Sequence, residues 1–188
     1  GGPKFEAVYP SGWGMVSNTP FKGYKGEVYN GGVRDPLIIH WPEKIKATGE
    51  IRSQYVHVTD ITPTVLDVLS LEAPKTFQGI DQLPMDGISI ADTFSNPETA
   101  TNHTIQYYIV GGDRSIYKDG WKAIATHKRG QSFEQDKWEL YNLNLDFAEV
   151  HDVAGEYPDT LKDLQSIITR IFICSAGGGG FRRSKCAK

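Results

Sequence analysis

The sequence predicts a mixed α/β chain in which the edge of a large α/β layer is followed by a small antiparallel sheet with a C-terminal helix. Three observations predict this order. Short apolar runs in the first third of the chain precede a helical pattern, as in a strand–helix unit of an α/β layer. Residues 105–143 contain four β-rich runs separated by turn residues. Residues 158–172 repeat apolar side chains at helical spacing.

The composition is that of a globular protein and excludes some partners. With 188 residues and 39% hydrophobic side chains, the chain is long enough to bury a core. A formal net charge of -3 gives no electrostatic reason to bind nucleic acid or an anionic membrane. The apolar run at residues 37–41 is far shorter than the roughly 20 residues that span a bilayer. We therefore expect neither nucleic acid nor membrane as a partner, and the compartment stays open between periplasmic, secreted and cytoplasmic.

The first third of the chain predicts a long loop followed by two strands and a helix. Residues 1–35 are rich in glycine, proline, asparagine and aromatic residues, which predicts loop structure. Because long loops in compact domains commonly serve a site, this segment is a predicted functional surface. The proline-bounded run 36–41 predicts a buried strand, and residues 54–58 predict a second one. Residues 62–71, with an N-cap oxygen and proline at their start, predict a helix with one apolar face.

The rest of the chain predicts a separate sheet subdomain. Residues 72–102 predict a loop, since proline and glycine interrupt every periodic pattern there. The four β-rich runs that follow predict an antiparallel meander, with Trp121, Trp138 and Tyr141 packed in the sheet core. Pro158 predicts the start of a helix whose apolar face packs on that sheet.

These patterns predict three parts. Residues 1–75 would be the edge of an α/β layer with a loop that serves a site, and residues 76–176 a subdomain of antiparallel sheet and terminal helix. Residues 177–188, a glycine-rich segment without apolar periodicity, would be a disordered tail.

No metal site is predicted from cysteine or histidine. Cys174 and Cys186 are the only cysteines, too few for a four-cysteine zinc site or a disulfide framework. The five histidines lack the spacing that brings two ligands to one face of a helix or strand, which favours structural or surface roles. Arg34, between two glycines and the predicted buried strand, is expected to bind backbone or a carboxylate rather than a substrate.

A series of motifs in fixed order resembles a known family. The motifs are FKGYKGEVYNGGVRDP at residues 21–36, WP at 41–42, HVTDITPT at 57–64, MDGIS at 85–89, RSIYKDGWK at 114–122 and WELYNL at 138–143. Together they resemble the C-terminal portion of the sulfatase family, arylsulfatase type, in the alkaline phosphatase superfamily. The resemblance extends over about residues 1–171, and Phe147 stands where the family commonly has proline. This resemblance implies that residues 1–75 are the C-terminal part of a large α/β domain and that their loop is an active-site loop.

The resemblance implies a sulfuric ester hydrolase with a formylglycine nucleophile and a divalent cation, usually calcium. Formylglycine arises from the first residue of Cys/Ser-x-Pro-x-Arg, and the nearest match here, residues 95–99, has Thr99 in place of the arginine. The family's calcium-binding aspartates are also absent from this sequence. We therefore expect this chain to ligate neither cofactor, to be inactive alone, and to need the missing N-terminal part of the same protein as its partner.

The resemblance places Lys25 at the position of a sulfate-contacting lysine, which makes it the predicted catalytic and substrate-binding residue. Negative charge builds on the sulfate oxygens as the S–O bond breaks, and an ammonium group donates a charge-assisted hydrogen bond to them. The implied substrate is a small sulfate ester or a sulfated sugar.

Two other functions fit the same sequence. One is a phosphonate or phosphodiester hydrolase of the same superfamily, and the other is a non-catalytic module that binds carbohydrate or protein. A chain cut from a large domain is also expected to expose apolar surface and to associate.

Overall fold

The computed structural model describes residues 9–46 and 49–176, with side chains up to residue 171. The predicted tail at residues 177–188 lies outside the described residues. The helices and strands are α1 Ser11–Ser17, α2 Asn30–Val33, α3 Ile61–Val68, β1 Thr76–Phe77, β2 Ile80–Asp81, β3 Ile105–Val110, β4 Asp113–Lys118, β5 Trp121–Ala125, β6 Trp138–Asn142 and α4 Pro158–Ala176. Within the described part of the chain, no helix is long and apolar enough to span a bilayer.

The chain forms two compact units. The first unit combines the segments Gly1–Pro36 and Ile105–Lys188, and the second is Leu37–Thr104. The N-terminal loop segment thus packs with the C-terminal sheet in this structure. The sequence-based limit between residues 75 and 76 refers to the domains of the complete protein and stays a prediction.

The sheet of the first unit is the antiparallel meander that the sequence predicts. Its strands lie in chain order, β3-β4-β5-β6, and each neighbouring pair is antiparallel. The tight connection between β4 and β5 is Asp119-Gly120, where both residues have positive φ. Ala123 of β5 is paired with Ile116 of β4 on one side and with Leu140 of β6 on the other.

Helix α4 covers one face of this sheet, as predicted. Ile116, Ala123 and Leu140 point to that face and form a buried core with Leu164 and Ile168 of α4. Partly buried side chains that include Trp121 and Trp138 complete the core, which confirms their predicted packing role.

The opposite face of the sheet is covered by the N-terminal segment. Val28 and Tyr29 form a second buried core with Ile124 of β5 and Tyr141 of β6. Side chains on β5 alternate between the faces, so Ile124 lies on the opposite face from Ala123. Strand β5 is therefore buried on both sides, between a helix and a loop segment that carries the predicted site residue.

The second unit differs from the sequence-based expectations. The run 36–41 is extended but pairs with no strand in the described residues, and its Ile38 is 87% exposed. Residues 54–58 are likewise not a strand. Both strand predictions are wrong for this structure, because an apolar run becomes a strand only where another strand satisfies its backbone groups. The second unit does contain the predicted helix as α3, although Val65 on its apolar face and Leu69 directly after it are exposed.

Two predicted loops contain short regular elements. Residues 1–35 include α1 and α2, and residues 72–102 include the β1–β2 hairpin and a 3-10 helix at Ala91–Phe94. These elements are two to seven residues long, too short to show a periodic pattern in sequence. The exposed apolar side chains of the second unit agree with the expectation that the chain presents uncovered apolar surface, whereas its association stays a prediction.

Candidate functional site

The candidate site is the loop at residues 22–31, called here the Lys25 loop. Its two ends meet, because the Gly31 backbone N–H donates to the Lys22 carbonyl at 2.8 Å. The Asn18 side-chain amide donates to the carbonyls of Gly23 and Gly31 at 3.3 and 2.8 Å. A Cβ at position 31 would lie 2.2 Å from the Gly23 oxygen, so this close approach requires glycine.

Lys25 occupies the outermost turn of this loop. The Glu27 N–H donates to the Tyr24 carbonyl at 3.1 Å, which makes Lys25 and Gly26 the central residues of a β-turn. Gly26 has a φ of +99°, the conformation that a type II turn needs at its third residue. Lys25 is exposed in this chain. Its ammonium group is therefore accessible to an anion, and its role as a sulfate ligand stays a prediction.

The N-terminal end of the loop is held by a group called here the tyrosine cluster, formed by Lys22, Tyr29, Glu139 and Tyr141. Both tyrosine hydroxyls donate to the same carboxylate oxygen of Glu139, at 2.8 Å from Tyr29 and 2.7 Å from Tyr141. The Lys22 ammonium donates to the Tyr141 hydroxyl at 3.1 Å and lies 4.2 Å from the centre of the Tyr29 ring.

The pKa values of both phenols in this cluster are raised. Burial is the main cause, since it disfavours the charged phenolate, and the hydrogen bond to Glu139 adds to it. Tyr29 and Tyr141 therefore remain protonated donors at neutral pH.

The C-terminal end of the loop rests on a buried ion pair. The Lys122 ammonium lies 2.7 Å from Oε1 of Glu149, and the two side chains are 1% and 0% exposed. The other carboxylate oxygen of Glu149 accepts the backbone N–H of Asn30 at 2.6 Å. Lys122 also donates to Oδ1 of Asn30 at 2.9 Å. Burial lowers the pKa of Lys122, and the neighbouring Glu149 charge opposes this shift.

The segment after β6 supplies further contacts to the same end of the loop. The Asn30 side-chain amide donates to the Phe147 carbonyl at 2.8 Å, and the Phe147 ring meets Phe21 edge-on at 5.9 Å between centroids. Asp146 caps this segment by accepting the N–H groups of Val150 and His151 at 2.8 and 2.7 Å. Phe147, which departs from the family pattern, thus still contributes to the support of the loop.

Metal-binding side chains do not converge in the structure. Over residues 9–46 and 49–176, no three His, Cys, Asp or Glu side chains lie close enough together to hold a metal ion. His103 and His127 instead each contact one aspartate, Asp60 and Asp136 respectively. These described residues do not fit a calcium site, and the formylglycine motif is absent from the sequence. Arg34, predicted to bind backbone or carboxylate, lies over the Phe21 ring at 5.1 Å.

Comparison with known proteins decides the family. A family model described as "N-sulphoglucosamine sulphohydrolase, C-terminal" matches residues 24–171, which contain Lys25, the sheet and most of α4. The chain belongs to this sulfatase family. The resemblance recognised from the motifs is therefore confirmed.

The relatives of the chain are sulfatases of greater length. The chain is similar to an uncharacterized sulfatase of Schizosaccharomyces pombe, with 34% identity over 158 residues that cover 83% of the chain and 28% of the relative. It is also similar to arylsulfatase K of Danio rerio, with 28% identity over 172 residues that cover 89% of the chain and 31% of that protein. The chain thus spans about three tenths of the length of these relatives.

A solved structure confirms the predicted fold class. The crystal structure of Ps i-CgsB matches with a TM-score of 0.64 and 24% sequence identity, over 81% of this chain and 32% of that one. The mixed α/β fold with a small antiparallel sheet and a C-terminal helix is therefore shared with a solved structure.

Sequence reasoning identified Lys25 but missed the residues that hold its loop. Lys122 and Glu149 were not predicted as part of the site, and Tyr141 was predicted only as a packing residue. One signal was present: Lys122 interrupts an otherwise apolar strand, and a buried lysine needs a partner.

Proposed function

We propose that this chain is the C-terminal part of a sulfatase that removes the sulfate group of a sulfated sugar, and that Lys25 binds the sulfate. The observation that carries the proposal is the family match over residues 24–171, which includes a lysine on an exposed and well-supported turn. The description of the matching family names a sulfated glucosamine, which supports a sugar substrate over a simple aryl sulfate.

The proposed role of Lys25 follows from the charge of the transition state. Negative charge on the departing and non-bridging sulfate oxygens rises as the S–O bond breaks. A lysine ammonium donates to these oxygens more strongly in the transition state than in the ground state. Removal of one such donor typically costs about 2.7–4 kcal/mol, or roughly 10²–10³-fold in kcat.

The remaining chemistry is assigned to the part of the protein that this chain does not contain. The family resemblance implies a formylglycine and a divalent cation, usually calcium, which would supply the nucleophile and a positive charge to polarise the sulfate. We infer that other residues of the full-length protein hold both groups, because the described residues form no metal site. The chain alone is therefore expected to be inactive, and its functional partner is the rest of the same protein.

The test is substitution of Lys25 in the full-length protein. Lys25→Ala should lower kcat/KM for an N- or O-sulfated glucosamine by about 10²–10³-fold. Lys162→Ala, a matched substitution of an exposed lysine on α4, should leave turnover unchanged. Unchanged turnover in Lys25→Ala would refute the role of this lysine. A large preference for an aryl phosphodiester over an aryl sulfate would identify a phosphorus-ester hydrolase instead.

A further inference from the structure

The buried ion pair of Lys122 and Glu149 binds the Lys25 loop at Asn30. The backbone N–H, the side-chain oxygen and the side-chain amide of Asn30 each form a hydrogen bond. Its backbone N–H donates to Glu149 at 2.6 Å, its Oδ1 accepts from Lys122 at 2.9 Å, and its side-chain amide donates to the Phe147 carbonyl at 2.8 Å. Asn30 is 4% exposed. The place of this residue is therefore fixed in three directions.

Asn30 in turn fixes the end of the loop. The next residue, Gly31, closes the loop by donating to the Lys22 carbonyl at 2.8 Å. Lys25 lies within the loop so closed. A displacement of Asn30 would break this closure and move the turn that carries the Lys25 ammonium.

A buried ion pair is a poor device for stability alone. Transfer of two charges out of water costs more than their attraction returns in many proteins, and apolar residues of similar size often replace such pairs without loss. The pair does supply directional hydrogen bonds, which an apolar contact cannot give. Lys122 and Glu149 each form such a directional hydrogen bond with Asn30.

We propose that Lys122 is a positioning residue, which together with Glu149 and through Asn30 sets the location of the Lys25 ammonium for reaction with sulfate. This inference rests on the proposed function. Lys122 is 1% exposed and its ammonium group is bound to Glu149 and Asn30, which leaves it unsuited to bind a substrate itself. Its contribution to turnover is made through Lys25 alone.

The test is a double-mutant cycle in the full-length protein. Lys122→Met should lower kcat/KM about 10–100-fold, mainly through kcat, since a small misplacement of a reacting group has effects of this size. In the Lys25→Ala background, the same substitution should change kcat/KM less than about twofold, because the two residues act as one unit. A merely structural role predicts the same factor in both backgrounds and would overturn the proposal.

A second variant guards against misfolding. Lys122→Met leaves Glu149 buried without its partner, whereas Lys122→Met with Glu149→Gln removes both charges at nearly constant shape. The double variant should fold and show faster amide hydrogen exchange in residues 22–31. Its kcat/KM should still fall when Lys25→Ala is added. The control is Lys118→Met, which removes a half-buried lysine that lies 2.7 Å from Asp163 and should change neither exchange nor turnover.

The outcomes separate this inference from the proposed function. If Lys25→Ala lowers turnover while the Lys122 variants change neither exchange in the loop nor kcat, the positioning role is wrong and the proposed function stands. If Lys25→Ala has no effect on turnover, the proposed function fails, and the positioning role fails with it.

Discussion

The packing of α4 on the sheet makes a quantitative stability prediction for Leu164→Ala. Leu164 is 1% exposed and contacts the core formed by Ile116, Ala123 and Leu140. The substitution removes three buried carbon atoms without adding a polar group. The fold of the first unit should persist, because the remaining apolar residues of α4 still face the sheet.

The expected cost has two parts. At about 0.8 kcal/mol for each buried methylene, the lost transfer free energy is about 2.4 kcal/mol. A residual cavity of about 50 Å³ would add about 1.2 kcal/mol, at roughly 24 cal/mol per Å³. We therefore expect the free energy of unfolding to fall by about 3–4 kcal/mol, or by about 2.4 kcal/mol if the helix settles into the space.

Urea denaturation followed by tryptophan fluorescence measures this cost, since Trp121 and Trp138 pack against the same core. Lys162→Ala on the exposed face of α4 is the control, with an expected change within about 0.5 kcal/mol. Equal unfolding midpoints for the two variants would show that α4 does not depend on this contact, and would refute the reasoning.

Three further predictions concern the loop and its supports. Gly31→Ala places a Cβ 2.2 Å from the Gly23 oxygen and should destabilise the fold by about 1–3 kcal/mol. Gly12→Ala is the control, because its Cβ meets no atom within 4 Å and should leave the stability unchanged. Thermal denaturation compares the two variants. Tyr141→Phe should lower the free energy of unfolding by about 1–2 kcal/mol, since it removes the hydroxyl shared within the tyrosine cluster; an equal urea midpoint would contradict this. Burial would raise the pKa of Asp146, but the backbone hydrogen bonds that its carboxylate accepts outweigh this effect and lower the pKa. The contribution of Asp146 to stability is therefore complete above the ordinary pKa of about 4 and is lost as pH falls through the lowered pKa. Asp146→Asn should accordingly be less stable than wild type at pH 7, by a difference that shrinks as pH falls below about 4, and a constant difference would argue against the carboxylate contacts.

The first unit was largely predictable because its partners are close in sequence. The four strands pair in chain order across short connections, so each β-rich run finds its neighbour next to it. The pattern from Pro158 onward shows one apolar face, and a two-sided sheet provides the surface for it. Local patterns and tertiary contacts therefore agree in this part of the chain.

The second unit was less predictable from sequence. An apolar pattern indicates that a segment needs a packing or pairing partner, but it does not show whether the chain provides that partner. Residues 36–41 have the apolar composition of a buried strand, yet the described residues offer no strand for them to pair with. The same holds for the apolar face of α3, which is exposed at Val65. Both segments fit a chain that spans about three tenths of its relatives.

The candidate site was predictable only in part. Lys25 was found through its motif, which is continuous in sequence. Its supports were not, since Lys122 and Glu149 lie 92 and 119 residues from Asn30, and no local pattern links such distant positions. The face of the sheet that the loop covers also became apparent only from the structure.

The burial of the tyrosine cluster has a spectroscopic consequence. During alkaline titration, Tyr29 and Tyr141 keep their protons above the ordinary tyrosine pKa of about 10, because burial disfavours the phenolate and the hydrogen bond to Glu139 adds to this effect. A step in phenolate absorbance at high pH would thus show that the N-terminal segment still packs on β5 and β6. This step should disappear when the protein unfolds.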